Sequence, residues 1–326
     1  MLFVPQTDFE IFDEESYFDK MSGVESVLEG CCNKGYFTSF DGNNIYYEYY
    51  ISENSKATIV LVHGYTEFSK KYHELCYYLL NSGFNVFLYD QRGHGLSCRI
   101  TKNIYVNHVE SFDDYVRDLE CYINTVVEPR QNGLPMYIYS HSMGGAVAAL
   151  YLAENSNKIE KAVLSSPMIY PVCMPLPKNF LRYMLTNEAK KNGWESKFKF
   201  SSDFNPDVSF ENNNSDLSKS RFLYNIELRK KEARYQNSSS SNRWNYEVLG
   251  VKDEIFRKCN RKTIKTSIYI ISAAGDKVVK EKPQKRLAKK LRCKFDSIKN
   301  AKHTMITARK PELTAYLKML TDFYCL

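Results

Sequence analysis

The chain has 326 residues, a formal net charge of +7 and a hydrophobic fraction of 43%. These values indicate a globular protein that buries a core, as one large domain or two small ones. No apolar run reaches about 18 residues, so we expect no membrane-spanning helix. The N-terminus is acidic and lacks a basic flank before an apolar segment, and we therefore expect no secretory signal.

Nine cysteines are scattered along the chain, and only Cys31 and Cys32 are close in sequence. There is no C-x-x-C pair, so the sequence predicts neither a disulfide framework nor a zinc site. Free cysteines of this kind favour a reducing cytoplasm, and we expect most of them to be small buried apolar residues.

Charge is unevenly distributed along the chain. The first fifty residues are acidic, whereas "FRKCNRKTIKT" and "DKVVKEKPQKRLAKKLRCK" are strongly basic. One interpretation of the basic stretches is a solvated face, and the other is a surface in weak peripheral contact with an anionic membrane. We expect no nucleic-acid partner, because no recognition module accompanies the charge.

Apolar runs and helical patterns alternate along much of the chain. Continuous apolar strands separated by amphipathic helices predict an α/β fold with a mostly parallel central sheet flanked by helices. In chain order the segments are the strand "ATIVLV", the helix "KKYHELCYYLLN", the strand "FNVFLY", the helix "SFDDYVRDLECYINTVVEP", the strand "LPMYIYS", the helix "MGGAVAALYLAEN" and the strand "IEKAVLSS".

The alternation breaks between about Tyr170 and about Asn260, where prolines, helical pieces and polar loops such as "QNSSSSN" replace it. It resumes with the strand "KTSIYIISA", the helix "KPQKRLAKKLR", the strand "KFDSIKN" and a final helix from Pro311. We therefore expect three parts in the chain. They are an N-terminal extension over 1–34, a core over 35–169 and 261–326, and a cap inserted over 170–260.

The stretch "YSHSMGGA" lies where an apolar strand turns directly into a helix. This is the context of a nucleophile elbow, G-x-S-x-G, in which a serine sits on a strained turn. Ser140 takes the place of the first glycine and Gly144 that of the second, and both are small, as their close approach requires. The pattern predicts Ser142 as the nucleophile, and the alternative is an ordinary serine in a strand-to-helix loop.

A serine nucleophile needs a base, and in this fold class the chain order is serine, acid, histidine. Of the six histidines only His303 follows Ser142, so it is the base by elimination. His141 is expected to point away from the site, because an elbow opposes neighbouring side chains. His63 and His94 belong to earlier loops, where histidines more often bind local backbone groups.

The orienting acid and the oxyanion donors are expected at two further strand ends. Asp276 is the one carboxylate in the loop after "SIYIISA", and the alternative is an aspartate of a surface turn. An oxyanion hole needs two backbone N–H groups, which we assign to Met143, after the nucleophile, and to Tyr65. Gly64 before it allows close approach of the backbone.

Several segments resemble one family. The stretch "LVHGYTEFSKKYHELCYYLLNSGFNVFLYDQRGHGLS" is similar to the first half of α/β-hydrolases of the monoacylglycerol lipase and lysophospholipase group, which have a serine aminopeptidase S33-type hydrolase domain. "NHVESFDDYVRDLE", "YSHSMGGA" and "SSPMI" resemble bacterial lysophospholipases of the L2 type in particular. The resemblance extends over residues 35–326 and implies the α/β-hydrolase fold with a helical cap insertion.

The resemblance also implies a catalytic triad of Ser142, Asp276 and His303, with Tyr65 and Met143 as oxyanion donors. The substrate it implies is a lipid ester with one acyl chain, a lysophospholipid or a monoacylglycerol. We expect hydrolysis through an acyl-enzyme, with no metal or organic cofactor.

Three alternative functions remain at this point. One is a peptidase that removes N-terminal residues with the same triad, and the second is a small-ester carboxylesterase or acyl-transfer hydrolase. The third is a non-catalytic binding protein on the same fold. In the cap, "YPVCMPLPKNFLRYML" offers Leu, Met and Phe side chains for an acyl-chain pocket, and the alternative for this stretch is ordinary packing of cap on core.

Overall fold

The computed structural model describes residues 2–6, 10–172 and 176–325. Eight strands of these described residues form one sheet, in which the second strand runs antiparallel to both of its neighbours and all other pairs are parallel. The order across this sheet is first, second, fourth, third, sixth, seventh, ninth and tenth strand. The strands are β1 (Asn33–Thr38), β2 (Asn44–Tyr50), β3 (Ala57–Val62), β4 (Phe84–Tyr89), β5 (Val106–Asn107), β6 (Met136–His141), β7 (Lys161–Ser165), β8 (Ser239–Ser240), β9 (Ser267–Ala273) and β10 (Lys294–Ile298).

Helices cover both faces of this sheet. In β3, Ile59 and Leu61 pack towards one helical layer, and Val60 and Val62 pack towards the other, as the period of two in a strand requires. Within the described part of the chain, no helix has both the length and the apolar character needed to cross a bilayer. The helices are α1 (Tyr17–Cys31), α2 (His73–Asn81), α3 (Asp113–Tyr122), α4 (Met143–Asn155), α5 (Lys178–Asn192), α6 (Lys219–Lys231), α7 (Asn242–Lys258), α8 (Glu281–Leu291) and α9 (Lys310–Cys325).

The predicted mostly parallel α/β sheet is confirmed, and two local details differ from the sequence patterns. The helix expected up to Pro129 is α-helical only to Tyr122 and continues as a π-helical turn, Ile123–Val127, and a short 3-10 turn. Proline has no N–H to donate to an α-helix, which explains the change of helix type near Pro129. The two-residue strands β5 and β8 pair in parallel outside the main sheet, and β8 lies in the stretch without strand alternation.

Residues near the N-terminus pack on both the sheet layer and the 170–260 stretch. Met21, Val24 and Leu28 of α1 are buried in the same cluster as α2 and α9. The guanidinium of Arg221, in α6, is buried and binds both carboxylate oxygens of Glu74 in α2, at 2.9 and 2.5 Å. The same guanidinium donates to the carbonyl of Phe12 at 3.0 Å, so the segment before β1 also contacts α6.

The helices of the 170–260 stretch differ in how they contact the sheet layer. Trp244, Val251 and Ile255 of α7 are buried in the cluster that also contains α3 and α4. Leu181 and Leu185 of α5 instead form a small separate cluster with Leu249 of α7. The helix α5 thus lies outside α7, at the border of the cavity described below.

Candidate active site

The backbone at Ser142 has the strained conformation of a nucleophile elbow. Its φ is 52° and its ψ is −117°, in the left-handed region that side chains seldom adopt. A Cβ atom placed on Gly144 would lie 2.2 Å from the carbonyl oxygen of Val62 in β3. Only glycine fits there, and Ser140, in the first glycine's place, is buried with its hydroxyl donating to the Val163 carbonyl at 3.1 Å.

The structure brings Ser142, His303 and Asp276 together in one row. The Nε2 atom of His303 lies 2.9 Å from Oγ of Ser142, and its Nδ1 atom lies 2.7 Å from Oδ2 of Asp276. Ser142 follows β6, Asp276 follows β9, and His303 follows β10. The carboxyl ends of parallel strands meet at one edge of a sheet, which is why residues so far apart in sequence converge.

The surroundings keep the histidine neutral and the aspartate ionised. Burial lowers the pKa of His303 below its ordinary value, and the hydrogen bond that its Nδ1–H donates to Asp276 opposes this only in part. For Asp276, burial alone would raise the pKa, but His303 and the backbone N–H groups of Val278 and Val279 bring it below its ordinary value. A neutral imidazole beside a carboxylate is the state required of a general base.

The predicted oxyanion donors lie beside the serine. A Cβ atom on Gly64 would lie 3.1 Å from Cβ of Ser142, so the loop after β3 passes directly over the elbow. Hydrogen bonds within the described part of the chain leave the backbone N–H of Tyr65 free. Met143 is the first residue of α4, where N–H groups have no partner inside the helix. The Tyr65 ring packs on Trp244, with centroids 4.2 Å apart.

Glu67 is a buried residue of this site that the sequence patterns missed. Its Oε2 atom accepts the backbone N–H of Gly64 at 2.6 Å, and its Oε1 atom accepts Nζ of Lys71 at 2.7 Å. The same carboxylate lies 3.1 Å from Nδ1 of His141 and accepts the hydroxyl of Tyr72. These contacts hold the pKa of Glu67 well below its ordinary range despite its burial. The spacing of "HGYTE" was the available signal, since a turn joins Gly64 to Glu67.

His141 does not point away from the site, and that expectation is wrong. Its ring lies against His303, with centroids 4.8 Å apart, and its Nε2 atom is 3.3 Å from the His303 carbonyl. The chain reverses at Ser142, one residue later, so His141 still has the direction set by the end of β6. The expectation for His63 and His94 holds. The Nε2 atom of His63 accepts the Gln91 N–H at 2.9 Å, and His94 bonds the Arg92 carbonyl.

Two cavities share Tyr65 and Ser238 in their linings. The triad pocket, of about 500 Å³, contains Ser142 and His303 together with the charged residues Glu67, Lys71, Asp203, Asp216 and Arg229. The apolar cavity, of about 420 Å³, lies between α5 and α7 and is lined by Leu181, Met184, Leu185, Phe198, Val248 and Leu249.

The stretch predicted to supply an acyl-chain pocket contributes in part to the apolar cavity. Met184 and Leu185 line it, whereas Phe180 is exposed to solvent. Met174 of the same stretch lies outside the described residues.

A mainly parallel sheet with a serine elbow, an aspartate and a histidine at its strand ends defines the class of α/β-hydrolase enzymes. The family described as serine aminopeptidase, S33, matches residues 53–309 of this chain. The match covers more than half of the chain, and the chain therefore belongs to this family.

Relatives in the same family include two bacterial proteins and a human one. The chain is 32% identical over 149 residues to lysophospholipase L2 of Escherichia coli strain K12, which is 46% of this chain and 43% of that protein's length. It is 28% identical over 269 residues to probable lysophospholipase L2 of Haemophilus influenzae, 81% of this chain and 82% of that one. Human monoglyceride lipase is 33% identical over 130 residues, 40% of this chain and 41% of that one.

Solved structures share the fold at low sequence identity. A soluble variant of monoglyceride lipase from Saccharomyces cerevisiae, in complex with a substrate analogue, superposes with a TM-score of 0.71 at 16% identity, covering 90% of this chain and 94% of that one. A carboxyl esterase from Bacillus coagulans in complex with glycerol gives 0.67 at 17%, covering 90% and 98%. At such identities the likeness concerns the fold alone.

Proposed function

We propose that this protein hydrolyses carboxylic esters of single-chain lipids, a lysophospholipid or a monoacylglycerol, through an acyl-enzyme. The observation that carries the proposal is the row of Ser142, His303 and Asp276 beside an apolar cavity of about 420 Å³. Burial of each methylene of an acyl chain in such a cavity is worth about 0.8 kcal/mol. The lysophospholipase and monoglyceride lipase names of the relatives also support a lipid ester.

In the proposed reaction, His303 takes the proton of the Ser142 hydroxyl as its oxygen attacks the ester carbonyl. The backbone N–H groups of Tyr65 and Met143 bind the tetrahedral oxyanion. Asp276 holds the imidazole in the required tautomer and stabilises the imidazolium. His303 then protonates the leaving alcohol, and water repeats these steps on the acyl-enzyme. No step needs a metal or an organic cofactor.

The proposed division of labour follows the three parts expected from the sequence. The core, over 35–169 and 261–326, supplies the reacting groups, and the cap, over 170–260, supplies α5 and α7 on either side of the apolar cavity. In the N-terminal extension, over 1–34, helix α1 packs against the core. Because the cap contacts the substrate, acyl length and headgroup depend on its side chains.

We also propose that the protein is cytoplasmic and makes weak peripheral contact with the inner face of an anionic membrane. Each exposed basic group near anionic lipid contributes about 1 kcal/mol, and salt screens this within about 10 Å. Co-sedimentation with vesicles should rise with anionic lipid and fall at high salt, and equal binding to neutral vesicles would contradict it. The exposed basic groups, all in or near α8, are Lys277, Lys280, Lys282, Lys285, Arg286, Lys289, Lys290 and Arg292.

The test of the main proposal is a substrate panel. It contains lysophosphatidylcholine, monoacylglycerol, a diacyl phosphatidylcholine, p-nitrophenyl esters of graded chain length and aminoacyl-naphthylamides. We expect single-chain lipid esters to have the highest kcat/KM, and diacyl lipids to be turned over more slowly because the cavity holds one chain. Equal turnover of diacyl and monoacyl substrates would contradict the single-chain preference.

The same panel separates the alternatives. An aminopeptidase needs a free carboxylate for the substrate α-amine. Glu67 is paired with Lys71 and Asp203 with Lys197, whereas Asp216 forms no ion pair among the described residues and accepts the Thr307 hydroxyl. Preferred cleavage of aminoacyl-naphthylamides would establish an aminopeptidase. A preference for the shortest esters would establish a carboxylesterase. Labelling with a fluorophosphonate tests the non-catalytic alternative, because only an activated serine reacts; no labelling of the folded protein would favour a binding protein.

A further inference from the structure

Arg229 is a partly buried cation in the triad pocket that the proposed mechanism does not use. It lies near the end of α6 and lines the same pocket as Ser142 and His303. Two backbone carbonyls fix its guanidinium: Nε donates to Tyr235 and Nη2 to Asn237, each at 3.0 Å. The Phe204 ring lies beneath it at 4.3 Å. The side chain is therefore held in one place, and both N–H groups of Nη1 and one of Nη2 have no partner among the described residues.

No carboxylate forms an ion pair with Arg229 in the part of the chain that the structure describes. Burial lowers its pKa to about 10, and no acid opposes this shift. A guanidinium stays protonated at neutral pH even so. A charge that is partly removed from water and has no counter-ion is less well stabilised than a fully solvated one. This pocket thus contains a positive charge that an anionic ligand group would stabilise.

The other charged groups of the pocket are already matched within the protein. Lys71 is paired with Glu67. Asp203 is paired with Lys197 and accepts the Ser239 hydroxyl at 2.8 Å. Asp216 accepts the hydroxyl of Thr307 at 2.6 Å and lies close enough to Lys71 to help raise its pKa. Arg229 is the cation of this described lining without such a partner.

We propose that Arg229 binds the phosphate of a phosphodiester headgroup while the acyl chain occupies the apolar cavity. This inference rests on the proposed function and assigns its substrate class, a lysophospholipid rather than a neutral monoacylglycerol. Arginine suits this role because its planar donors match two phosphate oxygens. The two ends of the substrate then lie in the two cavities that share Tyr65 and Ser238, with the ester at Ser142.

The test compares two substrates with the same acyl chain, lysophosphatidylcholine and monoacylglycerol. In Arg229→Gln we expect kcat/KM for lysophosphatidylcholine to fall about 10- to 100-fold, as for the loss of one charge-assisted hydrogen bond. Activity on monoacylglycerol should stay within about twofold of the unaltered enzyme, because that substrate has no phosphate for Arg229 to bind. Arg229→Lys should lose less on lysophosphatidylcholine. The matched control is Lys230→Gln, the exposed neighbour on α6 that pairs with Glu227.

A second measurement uses soluble anions as probes. Hydrolysis of a short p-nitrophenyl ester should be inhibited by sn-glycero-3-phosphocholine, and Arg229→Gln should weaken that inhibition about tenfold or more. Inorganic phosphate should inhibit less, because it lacks the glycerol and choline groups of the headgroup. Equal inhibition by both probes would overturn the assignment to a lipid headgroup.

The two proposals fail in distinguishable ways. If Arg229→Gln lowers activity on both lipids equally, or on neither, the Arg229 assignment is wrong while lipid ester hydrolysis stands. A purely structural role for its two carbonyl contacts would give the first of these results. If the unaltered protein cleaves neither lipid, the proposed function itself is wrong.

Discussion

The two sides of the candidate site are built in different ways. The side with Ser142, Asp276 and His303 is formed by the ends of β6, β9 and β10, and its geometry follows from the backbone of one sheet. The side formed by α5, α6 and α7 consists of side chains on helices joined by long loops. Under the proposed function, we expect bond cleavage to depend on the sheet side and the choice of substrate to depend on the helices. Changes on the first side should then affect every substrate alike.

The largest effect is expected for Ser142→Ala. Removal of the nucleophile should lower kcat by about 10⁶-fold on every ester, with the fold intact by circular dichroism. Ser140→Ala is the matched control, because its hydroxyl donates to the Val163 carbonyl and does not face the triad row. An inactive Ser140→Ala together with an active Ser142→Ala would show that the elbow is wrongly assigned.

Asp276→Asn should have the next largest effect. The amide would favour the wrong imidazole tautomer of His303, and we expect kcat to fall by about 10⁴-fold for lipid and p-nitrophenyl esters alike. Asp296→Asn is a suitable control, since that carboxylate accepts the Tyr269 hydroxyl at 2.6 Å in the neighbouring strand. Comparable losses in the two variants would remove Asp276 from the proposed triad.

Glu67→Gln tests whether the carboxylate that fixes the loop after β3 contributes to the reaction with every substrate. The amide cannot pair with Lys71, and it weakens the contacts to Gly64 and His141, so the oxyanion loop loses a fixed position. We expect kcat to fall about 10- to 100-fold on all substrates, with a smaller change in KM. Glu25→Gln, whose carboxylate binds His73 in α2, should leave kcat unchanged. A loss confined to one substrate would contradict the comparison.

The pH profile should reveal the neutral base. Because burial lowers the pKa of His303 below 6.5, the base stays unprotonated at neutral pH and becomes protonated only in more acidic solution. We expect kcat/KM on a non-titrating ester to be constant near pH 7 and to fall about tenfold per pH unit below that pKa. Circular dichroism at each pH checks that the fold is retained. An acidic limb with its midpoint above 6.5 would contradict the assignment.

The smallest and most selective effect is expected in the apolar cavity. Met184→Trp would fill part of it, so esters of long chains should lose a few-fold in kcat/KM per excluded methylene. Short esters should be unaffected. Tyr183→Trp places the same bulk on an exposed position of α5 and should change neither. Equal losses on short and long esters would indicate that Met184 contributes to the stability of the fold and not to binding of the acyl chain.

Sequence patterns predicted most of the sheet side, because local rules apply there. The alternation of strands and helices, the small residues around Ser142 and the order of Asp276 and His303 are all visible in the chain. Glu67 was missed because a carboxylate in a loop has no periodic pattern. His141 was placed wrongly because its direction depends on where the backbone reverses, and that is a property of one φ angle at Ser142.

The helical side could not be predicted in the same way. In the sequence, Arg229 is one of several cations at the end of a basic helix, "ELRKK". The sequence does not show that its guanidinium folds back onto the carbonyls of Tyr235 and Asn237 and onto the ring of Phe204. The pairing of β5 with β8 joins segments more than a hundred residues apart, and two-residue strands have no pattern of their own. Packing between distant segments, rather than propensity, determines these features.

Arg221 also determines how the helices over the site can fluctuate. Its guanidinium binds the Glu74 carboxylate of α2 and the Phe12 carbonyl, all removed from water. Breaking such a buried pair costs about 3–5 kcal/mol, so α6 opens only when much of the protein unfolds. The helix α5 is held chiefly by apolar contacts with α7, and so belongs to a less stable cooperative unit. We therefore expect local opening at α5, on one side of the apolar cavity, to need less free energy than opening at α6, which carries Arg229.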